Sequence, residues 1–303
     1  MSSTSIEWSD DVWNPIVGCS KISEGCRNCY AEKAAKSPRL QQFSQYQKVS
    51  EWDGSIEFVD NIYYGLLSKR KSKTVFVCSM ADLFHQNVRV GWIDKILLMV
   101  MAQPHLTFRF LTKRPQKMLN YFSQNRLSFI DNHIGDLLLY SKDKRFHLEN
   151  LLQSSTFYLK HGYFKNLWLG TTVENEEQAL SRIPLLTQIK GNLFLSCEPL
   201  LEQIDFSRLE LFLTLYHDLS DQNPFNLDLV KWVIVGGESG TNSRFCDIQW
   251  ISKIVDYCTL SDKLVFVKQL GQNSNHPRFN SSDTKRSNLH GFPSHLKIRQ
   301  IPV

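Results

Sequence analysis

Three cysteines near the N-terminus have a spacing that indicates chemistry. Cys19, Cys26 and Cys29 form the pattern C-x6-C-x2-C, and Gly18 and Gly25 precede the first two of them. Glycine permits the backbone turns that wrap a loop around an inorganic core. Three thiolates on one loop can ligate three irons of a [4Fe–4S] cubane. The fourth iron then has no protein ligand and can bind a substrate.

An open iron of this kind predicts a reaction. In radical enzymes the open iron takes the amino and carboxylate groups of S-adenosylmethionine. An electron from the cluster then breaks a sulfur–carbon bond and releases a 5′-deoxyadenosyl radical. The three cysteines therefore predict a radical S-adenosylmethionine enzyme, and the sequence does not identify its final substrate.

Other interpretations of the cysteines stay open. Zinc also accepts three cysteines with a fourth ligand, although no histidine lies within the loop. A zinc- or cluster-binding module that recognises nucleic acid without catalysis is therefore one alternative, and a structural iron–sulfur or electron-transfer protein is another. Four further thiols, Cys78, Cys197, Cys246 and Cys258, are dispersed along the chain. Cys78 and Cys197 lie within apolar runs, where a small core residue is the simpler interpretation. Cys246 and Cys258 have no partner at ligand spacing.

Composition limits the class of protein. The chain has 303 residues, of which 42% are hydrophobic and 21% charged, as in a globular enzyme. Its net charge of +5 permits an anionic substrate but falls short of a dedicated nucleic-acid binder. The basic run KRKSK at 69–73 predicts a solvated loop more readily than a nucleic-acid patch. No signal peptide precedes the loop, and the longest apolar run, 96–102, is too short to cross a bilayer, so we expect a cytoplasmic protein without a membrane partner.

Short apolar runs in the sequence predict the strands of the fold that must position these cysteines. Helical patterns lie between the runs, which predicts an α/β fold, a partial (β/α) barrel of six to seven parallel strands. We expect this barrel over residues 1–271, with insertions at about 120–165 and 211–229 and a polar C-terminal tail at 272–303. The predicted strands are 74–79, 107–112, 167–172, 193–197, 232–236 and 264–268.

Polar side chains follow several of these strands, where barrel enzymes carry their chemistry. Thr172, Glu174 and Asn175 can hold ribose hydroxyls, although capping of the next helix is an alternative role. Glu198 follows another strand, and a carboxylate there needs exposure or a partner. Three cations are its expected partners: Lys113, Arg114 and Arg244. One of these cations can instead bind the methionine carboxylate. The alternative role of Glu198 is a plain interior salt bridge.

Two adjacent glycines end the strand at 232–236. Gly236 and Gly237 let a ligand approach the backbone, and Glu238 after them strengthens that interpretation, although two glycines often mark only a tight turn. Lys268 and Gln269 end the last strand and can face substrate or close the barrel.

The order of these motifs resembles a known family over nearly the whole chain. The chain resembles the phage-associated three-cysteine proteins, a domain family of unknown function. That family is itself similar to the radical S-adenosylmethionine superfamily and, in outline, to spore photoproduct lyase. The matching stretches are TSIEWSDDVWN at 4–14, GCSKISEGCRNCYAE at 18–32, VCSMADLF at 77–84, LTKRP at 111–115, LWLGTTVEN at 167–175, LSCEPLL at 195–201, WVIVGGESG at 232–240 with Arg244, and VKQLG at 267–271.

The resemblance implies cofactors and partners. It implies a [4Fe–4S] cluster, S-adenosylmethionine and an electron donor such as flavodoxin or ferredoxin. The substrate stays unidentified, and a nucleic acid or a nucleotide is compatible with the resemblance. The resemblance also implies that Ser79 and Asp82 receive the amino group of the methionine moiety, with helix capping as the alternative for Asp82. The superfamily spacing is C-x3-C-x2-C with an aromatic residue before the third cysteine. Here the first gap is six residues, Asn28 precedes Cys29, and Tyr30 follows it.

Overall fold

The computed structural model describes residues 2–4, 6–124, 127–217, 226–277, 282–283 and 285–302. Within these ranges no helix combines the length and the apolar character needed to cross a membrane. The strands are β1 (Ser2–Ser3), β2 (Asp11–Trp13), β3 (Ile16–Val17), β4 (Glu57–Phe58), β5 (Lys73–Val77), β6 (Leu106–Thr112), β7 (Leu167–Thr172), β8 (Asn192–Cys197), β9 (Val230–Gly236) and β10 (Leu264–Gln269). The helices are α1 (Tyr30–Ala35), α2 (Pro38–Gln41), α3 (Ser44–Gln47), α4 (Asp60–Gly65), α5 (Val90–Ala102), α6 (Pro115–Phe122), α7 (Phe129–Tyr140), α8 (Lys144–His161), α9 (Glu176–Leu186), α10 (Phe206–His217) and α11 (Ile248–Leu260).

One sheet carries most of the strands, in the order β1-β2-β5-β6-β7-β8-β9-β10. β1 pairs antiparallel with β2, and the other seven strands form a parallel sheet. Parallel strands that follow one another in chain order and alternate with helices are the pattern of a (β/α) barrel. The predicted fold class, an α/β protein with a partial barrel of six to seven parallel strands, is confirmed.

The predicted strands correspond to β5 through β10, with ends that shift by at most two residues. All six residues of β7 are buried, and β9 is buried except at Lys231. This continuous burial explains why these strands are apolar on both faces instead of alternating. β2 was not predicted, because a strand of three residues with an aspartate carries too little pattern to detect.

The chain divides into two compact units. The first comprises residues 1–22 and 29–169. In it β2 pairs parallel with β5, and β5 with β6. The segment predicted as an insertion at 120–165 contains α7 and α8, and both helices pack on α5, in which nine of thirteen residues are buried.

The second unit comprises residues 23–28 and 170–303. β8, β9 and β10 are parallel neighbours in it, and α11 packs on β9 and β10. Residues 298–300 run antiparallel along the free side of β10. The Val267 N–H donates to the Ile298 carbonyl at 2.9 Å, and the Gln300 N–H donates to the Val265 carbonyl at 3.0 Å. Much of the predicted insertion at 211–229 lies outside the described residues, since 218–225 are not among them.

Candidate functional site

In the first unit, the cysteine loop begins at Gly18, whose φ of +98° is in the left-handed region. A Cβ at this position would lie 2.1 Å from the Ser55 carbonyl oxygen, so only glycine fits. The Gly18 N–H donates to the Met80 carbonyl at 3.0 Å, which ties the loop to the chain after β5. Cys19 and Cys29 pack, partly buried, against one small apolar cluster. It consists of Val17, Ala31, Ala35, Tyr46, Val49, Trp52 and Met80.

This geometry makes Gly18→Ala a damaging change. We expect it to lower the free energy of unfolding by at least about 2 kcal/mol, because the alanine would clash with a backbone oxygen and hold a strained φ. Urea unfolding measures the effect. Gly65→Ala is the matched control, since Gly65 is helical and open space surrounds it. The control is expected to be neutral or stabilising, and equal losses in both variants would contradict the prediction.

Asp82 lies after β5 and is only 7% exposed. One carboxylate oxygen accepts from the Phe84 N–H at 2.9 Å and from the Thr112 hydroxyl at 2.7 Å. The other accepts from the Lys113 N–H at 3.0 Å and from the Arg114 guanidinium at 3.2 Å. Four donors therefore occupy the carboxylate, which joins the end of β5 to the end of β6. This role competes with the predicted role of receiving the amino group of methionine.

Arg114, predicted to bind a carboxylate, is directed toward the cysteine loop. Nη1 lies 3.8 Å from the Cys19 sulfur, and Nη2 donates to the Ser20 carbonyl at 2.9 Å and hydroxyl at 3.2 Å. The Ser20 hydroxyl also lies 2.7 Å from His85 Nε2. Burial, helped by the charge of Arg114, lowers the pKa of His85 to about 4, so the imidazole is neutral at pH 7. Its Nδ1 accepts from the Asn87 N–H at 3.1 Å, which leaves the proton on Nε2.

Ser79, the other residue expected near the methionine moiety, stands apart from this network. Its hydroxyl donates to Asn14 Oδ1 at 3.1 Å, and its carbonyl accepts from the Tyr30 hydroxyl at 2.8 Å. Ser79 and Lys113 are half-buried, whereas Asp82 is buried. These two residues therefore keep solvent-accessible polar surface at the ends of β5 and β6.

In the second unit, Glu174 after β7 is completely buried. One carboxylate oxygen accepts from the Ser23 hydroxyl and from the Gly25 N–H at 3.2 Å. The other accepts from Arg182 at 2.9 Å, and Arg182 also donates to the Thr172 carbonyl at 2.8 Å. Glu174 therefore holds the backbone that leads to Cys26. This contact competes with its predicted contact to a ribose.

Glu238, which follows β9, contacts the C-terminal end of the segment at residues 23–28. It accepts from the Asn28 amide at 2.9 Å. It also accepts from Arg244 three times, at 2.8 Å from the backbone N–H, 3.0 Å from Nε and 2.5 Å from Nη2. Arg244 donates further to the Glu24 carbonyl at 2.8 Å. Burial opposes the charge of Glu238, but the hydrogen bonds from Arg244 and Asn28 outweigh it and lower its pKa.

The lowered pKa gives an acid dependence with a defined sign. A carboxylate whose folded-state pKa lies below its ordinary 4.5 stabilises the fold above pH 4.5, and this stabilisation is lost as the pH falls through the folded-state value. We expect Glu238→Gln to be less stable than wild type at pH 7, with the difference shrinking as the pH falls. Thermal unfolding of the metal-free protein from about pH 6 to about pH 3 measures it. Glu51→Gln, at an exposed position, is the control. Curves for wild type and Glu238→Gln that stay parallel would contradict the expectation.

The remaining predicted residues have structural partners. Asn175 caps α9, where its side chain accepts from the Gln178 N–H at 2.9 Å. Glu198 pairs with Lys268 at 2.7 and 2.9 Å, which corrects the expected pairing with Lys113, Arg114 or Arg244. Lys268 is the penultimate residue of β10. Arg114 and Arg244 are each bound to another carboxylate, Asp82 and Glu238 respectively.

The two glycines after β9 face their own chain. A Cβ on Gly237 would lie 2.7 Å from the Leu270 carbonyl oxygen, and one on Gly236 would lie 3.0 Å from the Gln269 carbonyl oxygen. Glycine is therefore required at Gly237, and a Cβ on Gly236 would crowd the neighbouring backbone, because two backbone segments approach closely here. This close approach gives both glycines a structural role, and the predicted approach of a ligand to their backbone stays a prediction.

The seven cysteines fall into two groups. None of them forms a disulfide; Cys19, Cys26 and Cys29 are half-buried, whereas the other four are buried. Burial raises the pKa of Cys246 and of Cys258 to about 12 and raises the pKa of Cys78 and Cys197 as well. Thiols of this kind stay protonated and are poor metal ligands. Across the described ranges, no three His, Cys, Asp or Glu side chains are already gathered at metal-binding distance.

Sequence reasoning missed Ser20, His85 and Arg182. Ser20 lies inside the cysteine pattern, and His85 directly follows the matched stretch at 77–84. Arg182 lies two turns into α9 after Glu174, where a single buried cation on a helix gives no distinctive pattern.

Comparisons with known proteins give a family and one structural similarity. The family described as "Protein of unknown function (DUF5131)" matches residues 3–292. No curated protein matches the chain. Among solved structures, a mutant of spore photoproduct lyase is similar, with 13% sequence identity and a TM-score of 0.38. That match covers 78% of this chain and 57% of the lyase chain, so this chain spans a little over half of the length of the lyase.

Proposed function

This chain belongs to the DUF5131 family of proteins of unknown function, and from its own residues we propose that it is a radical S-adenosylmethionine enzyme. It would carry a [4Fe–4S] cluster on Cys19, Cys26 and Cys29. The contrast between the two groups of cysteines carries the proposal. The three that share one short stretch of chain are half-buried, whereas the four dispersed ones are buried.

The donor chemistry of this stretch fits the cluster. Iron–sulfur clusters are held by thiolates, and three thiols within residues 19–29 supply three of the four ligands that a cubane accepts. The positive-φ Gly18 and the close approach of Gly25 to Glu174 shape the backbone around them. The loop also contains no histidine to complete a zinc site.

The residues of the chain would prepare the loop for the cofactors. Glu174 and Glu238 hold the segment at residues 23–28, and Arg114 donates toward the Cys19 sulfur. When bound, the reduced cluster supplies the electron that cleaves S-adenosylmethionine to methionine and a 5′-deoxyadenosyl radical. A loop held in place before the cofactor arrives needs less reorganisation during the reaction.

For S-adenosylmethionine itself, we propose Ser79 and Lys113 as first contacts. Both are half-buried at strand ends, and an ammonium group suits the methionine carboxylate. Asp82, Glu174 and Glu238 would act as supports, because hydrogen-bond donors already occupy them. Two predictions from the motif resemblance remain, an electron donor such as flavodoxin or ferredoxin and the phage association. The substrate is unidentified, and nucleotides and nucleic acids are among the candidates.

Anaerobic reconstitution tests the proposal. We expect about four irons and about four sulfides per chain. We also expect 5′-deoxyadenosine to form from S-adenosylmethionine only when a reductant is added. Stoichiometric zinc without sulfide would overturn the cluster. A full, reducible cluster that never cleaves S-adenosylmethionine would favour the electron-transfer alternative. Salt-resistant duplex binding without any cleavage would favour the nucleic-acid module.

A further inference from the structure

Arg114 connects the end of β6 to the first cysteine of the loop. Resting on the proposed cluster, we infer that Arg114 is a positioning residue that donates a hydrogen bond to the Cys19 sulfur and thereby raises the reduction potential of the cluster. The inference concerns residues of the first unit only. The observation that supports the inference is the distance of 3.8 Å between Arg114 Nη1 and Cys19 Sγ.

The guanidinium is held through both of its terminal nitrogens, Nη1 and Nη2, whereas its buried Nε has no hydrogen-bond partner among the described residues. Its side chain is 8% exposed and pairs with Asp82 at 3.2 Å. Nη2 donates twice to Ser20, to the carbonyl and to the hydroxyl. The Arg114 backbone N–H donates to the Thr112 hydroxyl at 2.8 Å, and that hydroxyl in turn donates to Asp82. A long side chain held this firmly has lost its rotamer freedom before any cluster binds.

The chemical effect of this contact has a predictable sign. Reduction adds one negative charge to the cluster and its thiolates. A cationic hydrogen-bond donor at a ligand sulfur stabilises that charge, and hydrogen bonds to sulfur are one of the means by which proteins set cluster potentials. Asp82 partly offsets the positive charge, so the directed N–H bond and the position of the guanidinium matter more than charge alone. Arginine suits this role because its planar fork can bond Asp82, Ser20 and Cys19 at once.

The test compares reduction potentials of reconstituted proteins. At a fixed solution potential, we expect the reduced-to-oxidised ratio of Arg114→Met to be about tenfold below wild type, which is about 59 mV for a one-electron couple. Electron paramagnetic resonance during a redox titration reads the reduced cluster directly, without any assay of activity. Arg114→Lys keeps the charge but has only one nitrogen, so it is expected to recover less than half of the shift.

Lys21→Met is the matched control. It removes the same charge two residues from Cys19, but Lys21 is exposed and pairs with Glu32 at 2.9 Å. We expect its potential to equal that of wild type. Equal shifts in Lys21→Met and Arg114→Met would overturn the inference, since general charge would then explain both. An unchanged potential in Arg114→Met would also overturn it.

Iron content separates the remaining outcomes. Wild type without a cluster would defeat the proposed function itself. A wild-type cluster with iron lost from both Arg114 variants would overturn only the inference, because Arg114 would then hold the loop and not set the potential. Full iron in all variants, with the potential lowered at Arg114 alone, is the expected result.

Discussion

Cys26→Ala is expected to lower the yield of 5′-deoxyadenosine per chain by at least about a hundredfold, because loss of even an outer partner of a metal ligand costs about 10- to 100-fold. Cys26 ends a single 3₁₀ turn, Glu24–Cys26, that Glu174 and Arg244 hold by their hydrogen bonds to Gly25 and Glu24. Its removal would leave two thiolates for the cluster. Iron and sulfide should fall together with the yield when all three are measured on the same anaerobic sample.

Cys258→Ala controls for the loss of a thiol. Cys258 is buried in α11, and burial raises the pKa of its thiol to about 12. We expect this variant to keep its iron, its sulfide and its activity, with a loss of about 1 kcal/mol in stability for the small cavity. Equal iron contents in the Cys26 and Cys258 variants would remove Cys26 from the ligand set.

Glu174→Ala is expected to destabilise the protein by about 3–5 kcal/mol, the usual loss when one partner of a buried ion pair is removed. The pair is deeply buried, with 0% of the Glu174 and 5% of the Arg182 side chain exposed. The change would leave the Arg182 charge without its carboxylate and would release Ser23 and Gly25. Urea unfolding measures the loss, and iron content after reconstitution should fall as well.

Glu176→Ala is the matched control for this change. Glu176 lies two residues further along and pairs with Arg208, whose side chain is 65% exposed. An exposed pair contributes about 0–1 kcal/mol, so the control should be nearly as stable as wild type. Similar losses in the two variants would show that burial of the pair does not decide its energy.

Much of the fold is readable from the sequence because buried parallel strands are apolar without interruption. β7 was predicted with its observed bounds, and β10 differs by one residue. Short strands and single turns escape such reasoning. β2 has three residues, and the turn at Glu24–Cys26 has no regular pattern.

The partners of the strand-end residues were harder to predict than their positions. Glu174 and Glu238 were correctly expected to follow strands, but their contacts lie 151 and 210 residues away, at Ser23 and Asn28. No local pattern encodes a hydrogen bond over such a separation. The same limit applies to Glu198 and Lys268, which are 70 residues apart. A single sequence shows which residues end strands, and the fold decides which of these residues meet.

The antiparallel pairing of residues 298–300 with β10 bears on how this protein could be shortened. A chain cut after Gly271 would leave the N–H groups of Val265 and Val267 exposed at an apolar strand edge, because Gln300 and Ile298 now accept from them. Bare edges of this kind recruit strands from other molecules. Such a chain would tend to form aggregates, so residues 298–300 protect this edge of the sheet from pairing with other molecules.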